Sequence, residues 1–561
     1  MSAPITIYCQ NTREYIEIAG GDTLLQIYGT IAHRLPFTPI CARVNNKSED
    51  LHFAVYAPKT IEFMPATSSS GNRTYIRSLC MMLYHAVNAC CPGASLSIEH
   101  SMSRGYYCRI IDDTAKTCLA PTPELTSRLK EHMTQLVKRD LPFIRKELRT
   151  PDVIDIFINQ GLMDKVLLLG TLHEPYTVFY TLDDLCDSYY GPLAPSTALL
   201  GVFDLLPYKE GFLLMGFSDA DPSRPQQPVP QEKMYRAFTD HLHFNHIVGV
   251  SNVGQLNEAV AQGQSPMLIN VAEALHNNRI ATIADDITNR FRQGQARVVM
   301  IAGPSSSGKT TFTKRLAIQL MTNLLEPKMI SLDDYFVDRH HTPLDEHGDY
   351  DYESLYALDL PLFNEHLNRL INREEVELPY YNFETGAREY RGNRIRLDDN
   401  SILLIEGIHG LNPELTALVD DTLKYRVYVS ALTTISIDDH NWIPTTDNRL
   451  LRRIIRDAKY RGVTPEETIR RWPSVRRGEE RWIFPYQENA DAMFNSSLLF
   501  ELGVMKDRAE SLLRRVPHDI TEYTEASRLR TFLSYFAPIS EEFIPSTSLL
   551  REFLGGSSFK Y

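Results

Sequence analysis

Residues 303–310, GPSSSGKT, set two glycines ahead of a lysine and a threonine in the pattern G-x-x-x-x-G-K-[ST]. That spacing builds a loop whose backbone N–H groups turn inward around phosphate oxygens. The lysine reaches the outer phosphates and the threonine hydroxyl suits Mg2+. Gly303, Ser305, Ser306, Ser307, Gly308, Lys309, Thr310 and Thr311 are therefore the expected contacts to a bound triphosphate. The flanks agree with this reading. RVVMIA before the loop has the apolar texture of a buried strand. After the loop, Phe312, Leu316, Leu320 and Leu324 recur at four-residue steps, which predicts a helix with one buried face and its positive end toward the phosphates. A phosphate loop alone does not separate a kinase from an ATPase or GTPase.

Two acids stand at the ends of later apolar runs. Asp333 follows KMISL, and ligands of open parallel sheets gather at that edge. A carboxylate there can take the proton of an attacking hydroxyl, or it merely starts a turn. Glu406 ends SILLIE, where an acid would lie beside the magnesium of a bound nucleotide together with Thr310; a loop or capping acid is the alternative.

The elements that must position these residues begin at 296. RVVMIA, KMISL, SILLIEG, YRVYVS and SLLFEL are short apolar runs separated by helical segments, which predicts an α/β domain with a parallel sheet covered on both faces. Upstream, DADPSRPQQPVPQ at 219–231 holds four prolines in thirteen residues and reads as a stiff, exposed linker. ITIYC and EYIEIA alternate as strands do, and GDTLLQIYGTIAHRL reads as a helix starting near Asp22 or Thr23. TYIRSLCMMLYHAVNAC opens a second α/β unit, and 232–295 is helical in pattern. The C-terminal REFLGGSSFKY reads as a docking tail.

Bulk properties narrow the classes. A chain of 561 residues predicts three or four domains. Its net charge of −13 argues against a nucleic-acid coat or a binder of anionic membranes. All eight cysteines lie in the first third with no C-x-x-C pair, so neither a zinc ribbon nor a disulfide framework is expected, and a cytoplasmic setting is. No apolar run approaches the ~20 residues of a membrane span, and MSAPITIYCQ is not expected to be a signal peptide.

Residues 296–510 resemble the uridine kinase and phosphoribulokinase superfamily through GPSSSGKTT, ISLDDYF, YDYE, ELPYYNFETGAR, IEGIHGL and RLLRRIIRDAKYRG, in that order. The resemblance implies a P-loop NTPase fold and an ATP- and Mg2+-dependent kinase acting on the 5′-hydroxyl of a nucleoside. It makes Asp333 the base that activates the hydroxyl and puts Asp351 on the ribose hydroxyls. Tyr381 then packs by the base with Arg388 nearby, and Arg452, Arg453 and Arg456 approach the phosphates from a lid. Two departures stand out. YNFETGAR replaces the usual YDFVTHSR, so Gly386 stands where the family has the histidine that reads the pyrimidine edge, and base choice is open. Val463 stands in place of a lid arginine, with Arg476, Arg477 or Arg481 as substitutes. Other acceptors, such as a sugar phosphate or pantothenate, use the same chemistry. A nucleotide-switched RNA- or ribosome-binding protein is the reading from a different class.

Residues 1–218 resemble the N-terminal region of threonyl-tRNA synthetases. Residues 1–66 are similar to the ubiquitin-like β-grasp (TGS) module, and 67–218 to the α+β editing domain through LYHAVNACCPGASLSIEHSMSRGYY and LDDLCDSYYGPLAPS. The editing domain's H-x-x-x-H falls here on Arg77 and Met81, and its C-x-x-x-H on Tyr189 and Leu193, so editing activity is not expected. The domain plan is completed by the linker 219–231, a helical connector 232–295, the kinase domain 296–510 and a C-terminal helical segment and tail 511–561. A nucleoside is the expected partner; RNA is allowed but not expected for the N-terminal domains, a membrane is excluded and an oligomer is allowed.

Overall fold

The computed structural model describes residues 4–346 and 348–560. Five parallel strands form the sheet of the phosphate-loop half, in the order Glu326–Ser331, Ser401–Glu406, Val298–Ala302, Lys424–Ser430, Ala492–Asn495. The central strand is buried along its whole length. Because side chains alternate across a strand, Val299 and Ile301 enter one core with Phe312, Leu316 and Leu320 of the helix Lys309–Thr322, here called the loop helix, and Ile280 and Ile287 of the long helix Ser265–Arg292. Val298 and Met300 enter the opposite core with Phe363 and Leu367 of the helix Leu360–Ile371. A hairpin, Val376–Asn382 with Ala387–Ile395, extends from this second face.

Two expectations fail locally. Leu324 does not continue the buried helical face: the loop helix ends at Thr322, and Leu324 is 80% exposed with φ 65°. The chain reverses there through Leu325 N–H donating to Leu320 C=O, and Leu325 is the residue buried. SLLFEL is not a strand. The fifth strand is Ala492–Asn495, and SLLFEL turns into the helix Glu501–Leu513, with Leu498, Phe500 and Leu502 buried. A short apolar run satisfies either element, and only burial on all sides was encoded in it.

The N-terminal residues form a five-stranded sheet in the order Glu14–Ala19, Pro4–Cys9, Thr60–Pro65, Pro39–Val44, Lys47–Glu49. Its first hairpin, Pro4–Cys9 with Glu14–Ala19, is antiparallel, while Pro4–Cys9 runs parallel to Thr60–Pro65. The helix Leu24–Ile31 packs Leu24, Ile27 and Ile31 into this sheet and starts at a capping box in which Thr23 and Gln26 exchange hydrogen bonds. Next come the buried helix Ser69–Cys90, a four-stranded antiparallel sheet and a three-stranded one. Residues 219–231 carry neither helix nor strand and are mostly exposed. Three helices, Glu232–Val248, Val253–Ala261 and Ser265–Arg292, lead into the parallel sheet. Among the described residues no helix is long and apolar enough to cross a membrane.

The two halves share their interior. Trp442 belongs to the core built around the helix Ser69–Cys90, against Tyr106. Leu168 belongs to the core of the C-terminal helices. At the seam, the buried Lys165 ammonium lies 2.9 Å from Asp187 and 2.8 Å from Asp438, and His440 Nδ1 lies 2.8 Å from Asp187. Burial alone would strip Lys165 of its proton, but Asp187 and Asp438 hold it well above the usual lysine range. Lys165→Ala would leave two buried carboxylates facing each other. The expected cost is about 3–5 kcal/mol, read as a lowered Tm in thermal unfolding of the full chain; an unchanged Tm would show that water reaches the seam.

Candidate active site

The phosphate loop leaves the strand Val298–Ala302 and opens the loop helix. Its two glycines are fixed by space. A Cβ on Gly303 would lie 2.0 Å from Val429 C=O, and Gly308 has φ +84° with Leu549 Cδ2 2.5 Å from where its Cβ would be. The hydroxyls of Ser306 and Ser307 are buried with no hydrogen-bond partner among the described residues, which leaves unmet polar groups for phosphate oxygens to satisfy.

The carbonyl side of the loop is held by one helix, Thr445–Tyr460, here the first clamp helix. Arg449 Nε donates to Ser305 C=O at 2.9 Å, Arg452 Nη1 to Ser306 C=O at 3.3 Å, and Arg453 Nη1 to Ser305 Oγ at 2.8 Å. The second clamp helix, Pro465–Trp482, supplies Glu479, which pairs with Arg449 in full burial and accepts Ser305 N–H at 3.1 Å and Arg476 Nη1 at 3.0 Å. Arg452 does not reach toward a ligand. It is fully buried beneath the loop, paired with Glu501 and donating to Ser496, because its position on the helix faces the core while Arg453, one residue on, faces the loop hydroxyl. Arg456 is paired with Asp457 at 2.9 Å. Of the proposed substitutes for the lid arginine, Arg476 is engaged by Glu479 and Glu480, and Arg477 lies 3.6 Å from Asp345.

Lys309 Nζ donates to the carbonyls of Gly303 and Pro304 at 2.9 and 3.1 Å. Burial pulls its pKa down, and Glu406, Asp333, Glu552 and Glu353 push it back up. Thr310 Oγ1 donates to Glu406 Oε1 at 2.8 Å and Thr313 Oγ1 to the other oxygen at 3.3 Å. Burial pushes Glu406 up to about 7, against the pull of Lys309. Its strand register sets Glu406 beside Ile301 and Ser331 at the C-terminal edge of the sheet. This hydroxyl–carboxylate pair is a set of hard oxygen donors of the kind Mg2+ takes.

Asp333 lies two residues past the strand Glu326–Ser331, in the turn Leu332–Tyr335. It keeps contact with water within the cleft, yet the surrounding protein pushes its carboxyl up while Lys309, Arg461 and Arg456 pull it down. Arg461 and Glu353 were not anticipated. Arg461 ends the first clamp helix and acts on Asp333; Glu353 is pushed up to about 7 by burial and by Glu479. Both stood beside residues already singled out, in YDYE and KYRG.

The acceptor side is built on the hairpin. Tyr381 and Arg388 are directly opposite in its register, and Tyr381 N–H donates to Asp334 at 3.2 Å, which ties the hairpin to the Asp333 turn. Tyr381 is buried; Arg388 is paired with Asp359 at 2.8 Å. Asp351 accepts Glu353 N–H at 3.1 Å. Over Gly386 lies Arg339, whose Nε is 2.7 Å from where a Cβ on Gly386 would be, and whose Nη2 donates to Phe383 C=O at 2.5 Å.

The C-terminal segment closes over the other side of the loop. Glu552 Oε2 accepts Thr311 N–H at 3.2 Å and Thr311 Oγ1 at 2.6 Å, and Leu549 packs on Gly308. A carboxylate thus takes donors at the start of the loop helix that a phosphate would use.

Residues 298–498 match the model of the Phosphoribulokinase / Uridine kinase family. A uridine kinase of Anoxybacillus flavithermus is 31% identical over 196 residues, covering 35% of this chain and 83% of that protein. A uridine kinase of Staphylococcus epidermidis is 28% identical over 224 residues, covering 39% and 99%. A threonine–tRNA ligase of Desulforamulus reducens is 29% identical over 203 residues, covering 36% of this chain and 31% of the ligase.

Glu552→Gln removes the competing charge at Thr311. It is expected to tighten binding of a nucleoside triphosphate by about three- to tenfold, roughly the worth of one ordinary hydrogen bond. Calorimetric titration measures this, and unchanged or weaker affinity would show that the carboxylate does not hold the seat.

Proposed function

The chain belongs to the phosphoribulokinase/uridine kinase family through residues 298–498, and from that premise we propose that it is an ATP- and Mg2+-dependent kinase acting on the 5′-hydroxyl of a nucleoside. Membership carries the phosphotransferase itself; the acceptor and the residue roles are our reading. The observation that supports it most is that Asp333 and Lys309 act electrostatically on each other at the C-terminal edge of the sheet, with Arg456 and Arg461 acting on the same carboxylate.

Each group has a task set by its charge. The loop from Gly303 through Ser305, Ser306, Ser307 and Gly308 to Thr311 takes the phosphates, and Lys309 draws off charge from their outer end. Asp333 accepts the hydroxyl proton; a carboxyl pushed up by its surroundings is a stronger base than one in open water. Thr310 and Glu406 would hold Mg2+, which when bound offsets phosphate charge in a cleft already crowded with carboxylates. Arg453 and Arg456, on the helix that holds the loop, would approach the phosphates from the lid side. Asp351, Tyr381 and Arg388 position the acceptor, with Arg388 exchanging Asp359 for the ligand. Arg339 offers only donors, so the acceptor edge facing it is one of carbonyl or acidic oxygens. For the N-terminal residues, the ligase match supports reading 1–66 as a β-grasp module and 67–218 as an editing-derived scaffold. The eight unpaired thiols support a cytoplasmic setting.

A screen of the purified protein with ATP and Mg2+ against the common nucleosides, read by product mass, tests the reading, with Lys309→Ala as control. Asp333→Asn is expected to lower transfer by about 10²- to 10⁴-fold with triphosphate affinity unweakened. Full transfer by that variant would remove the base, and nucleotide binding without transfer to any acceptor would favour a nucleotide-switched binder. Arg339→Ala is expected to raise the acceptor KM about tenfold with little change in kcat, the pattern of a lost ground-state contact; an unchanged KM would remove Arg339 from the acceptor site.

A further inference from the structure

Far along the chain from the phosphate loop, a cavity of about 370 Å³ opens between the N-terminal sheet, the helix Ser69–Cys90 and the helix Tyr523–Ser534. It is of ligand size. Its walls carry six basic and four acidic side chains, in a chain whose net charge is −13. Most of these charges are spoken for. Arg528 is bound to Asp447 and Glu525, Arg73 to Glu525, and Lys165 to Asp187 and Asp438.

Among the six basic side chains Arg77 is the exception. It is only 7% exposed, and among the described residues no carboxylate pairs with it. Its Nε and Nη2 donate to the carbonyl of Pro192 at 3.2 and 3.1 Å, and Nη2 reaches Thr74 Oγ1 at 3.5 Å; Nη1 makes no hydrogen bond among the described residues. The chain approaches this guanidinium closely, since a Cβ on Gly191 would lie 2.6 Å from its Cζ. A buried cation with an unused face and no counter-charge is costly unless an anion completes it. Burial, with Arg73 adding repulsion, pulls Arg77 down to about 10, so an anion arriving there meets a charge the fold does not compensate. The rest of the lining is flat and apolar: Tyr176, Tyr190 and Tyr535 with Leu168 and Leu172.

We propose that this cavity binds a small organic anion, a carboxylate or a phosphate monoester on a flat or apolar body, through the free Nη1 of Arg77. A charged N–H donor makes a stronger hydrogen bond to an anionic oxygen than a neutral one, and the tyrosines, with Tyr190 already over the guanidinium, cover the body. None of the residues that line the cavity belongs to the phosphate loop or to the Asp333 turn, so the site stands whether or not the kinase reading does.

The test uses the full-length protein with its triphosphate site saturated by a non-hydrolysable ATP analogue and Mg2+. Benzoate and phenyl phosphate are titrated by calorimetry, with phenol as the neutral control. Saturable one-site binding of one of the anions, absent for phenol and weakened at least about tenfold in Arg77→Met, is the expected result; the arm that binds identifies the anion. No saturable binding of either anion to the wild type, or equal binding by Arg77→Met, would overturn the proposal. Should Arg77→Met fail to fold by circular dichroism, Arg77→Lys carries the same readout. It keeps the charge but loses the Nε and Nη2 anchor on Pro192 that fixes where Nη1 sits, and unchanged affinity there would equally overturn it.

Discussion

A loop of glycines and serines has little shape of its own, and here its shape is borrowed from two arginines one turn apart on a single helix. Arg449 and Arg452 take the carbonyl oxygens of Ser305 and Ser306, and each is neutralised in full burial, by Glu479 and Glu501 respectively. Holding the carbonyls in place fixes the peptide planes, and fixed peptide planes fix where the remaining amides point. The entropy of ordering a flexible loop is thus met by the scaffold before any ligand arrives. Buried ion pairs of this kind add little net stability compared with apolar packing, so their value here lies in geometry.

The same logic explains the density of charge around Lys309. Glu406, Asp333, Glu353 and Glu552 all act on one lysine. Left alone, such a cleft repels a triphosphate. On the proposed function, a divalent cation held by Thr310 and Glu406, together with Arg453, Arg456 and Arg461, would bring attraction and repulsion near balance. A site near balance grips and releases a polyanion without large rearrangement. The N-terminal half is not an appendage to this machinery. Arg73 of the helix Ser69–Cys90 pairs with Glu525, which shares Arg528 with Asp447 in the first turn of the first clamp helix.

Much of this is legible in the sequence where the signal is local. The phosphate loop can be located because its spacing is fixed by contacts within eight residues, and Asp333 and Glu406 because strand ends are marked by the end of an apolar run. What is not legible is set by distance or by rotation. Glu479 and Glu552 meet the loop from 174 and 241 residues away. In the pair Arg452–Arg453, neighbouring residues point about 100° apart on a helix, and no local feature says which one faces the core. Leu324 fits the helical period but falls past the helix end, and SLLFEL reports burial without saying which element is buried.

Three tryptophans serve the whole chain of 561 residues, and all fall between 442 and 482. Trp442 sits in the shared seam against Tyr106, Trp472 lies over the Arg449 guanidinium, and Trp482 meets Tyr356 and His409 beside the cleft. Tryptophan emission, excited to the red of the absorption of the 28 tyrosines, therefore comes from the stretch that joins the halves and steadies the loop. Quenching or shifts in that emission report on this stretch, which makes the protein its own optical probe.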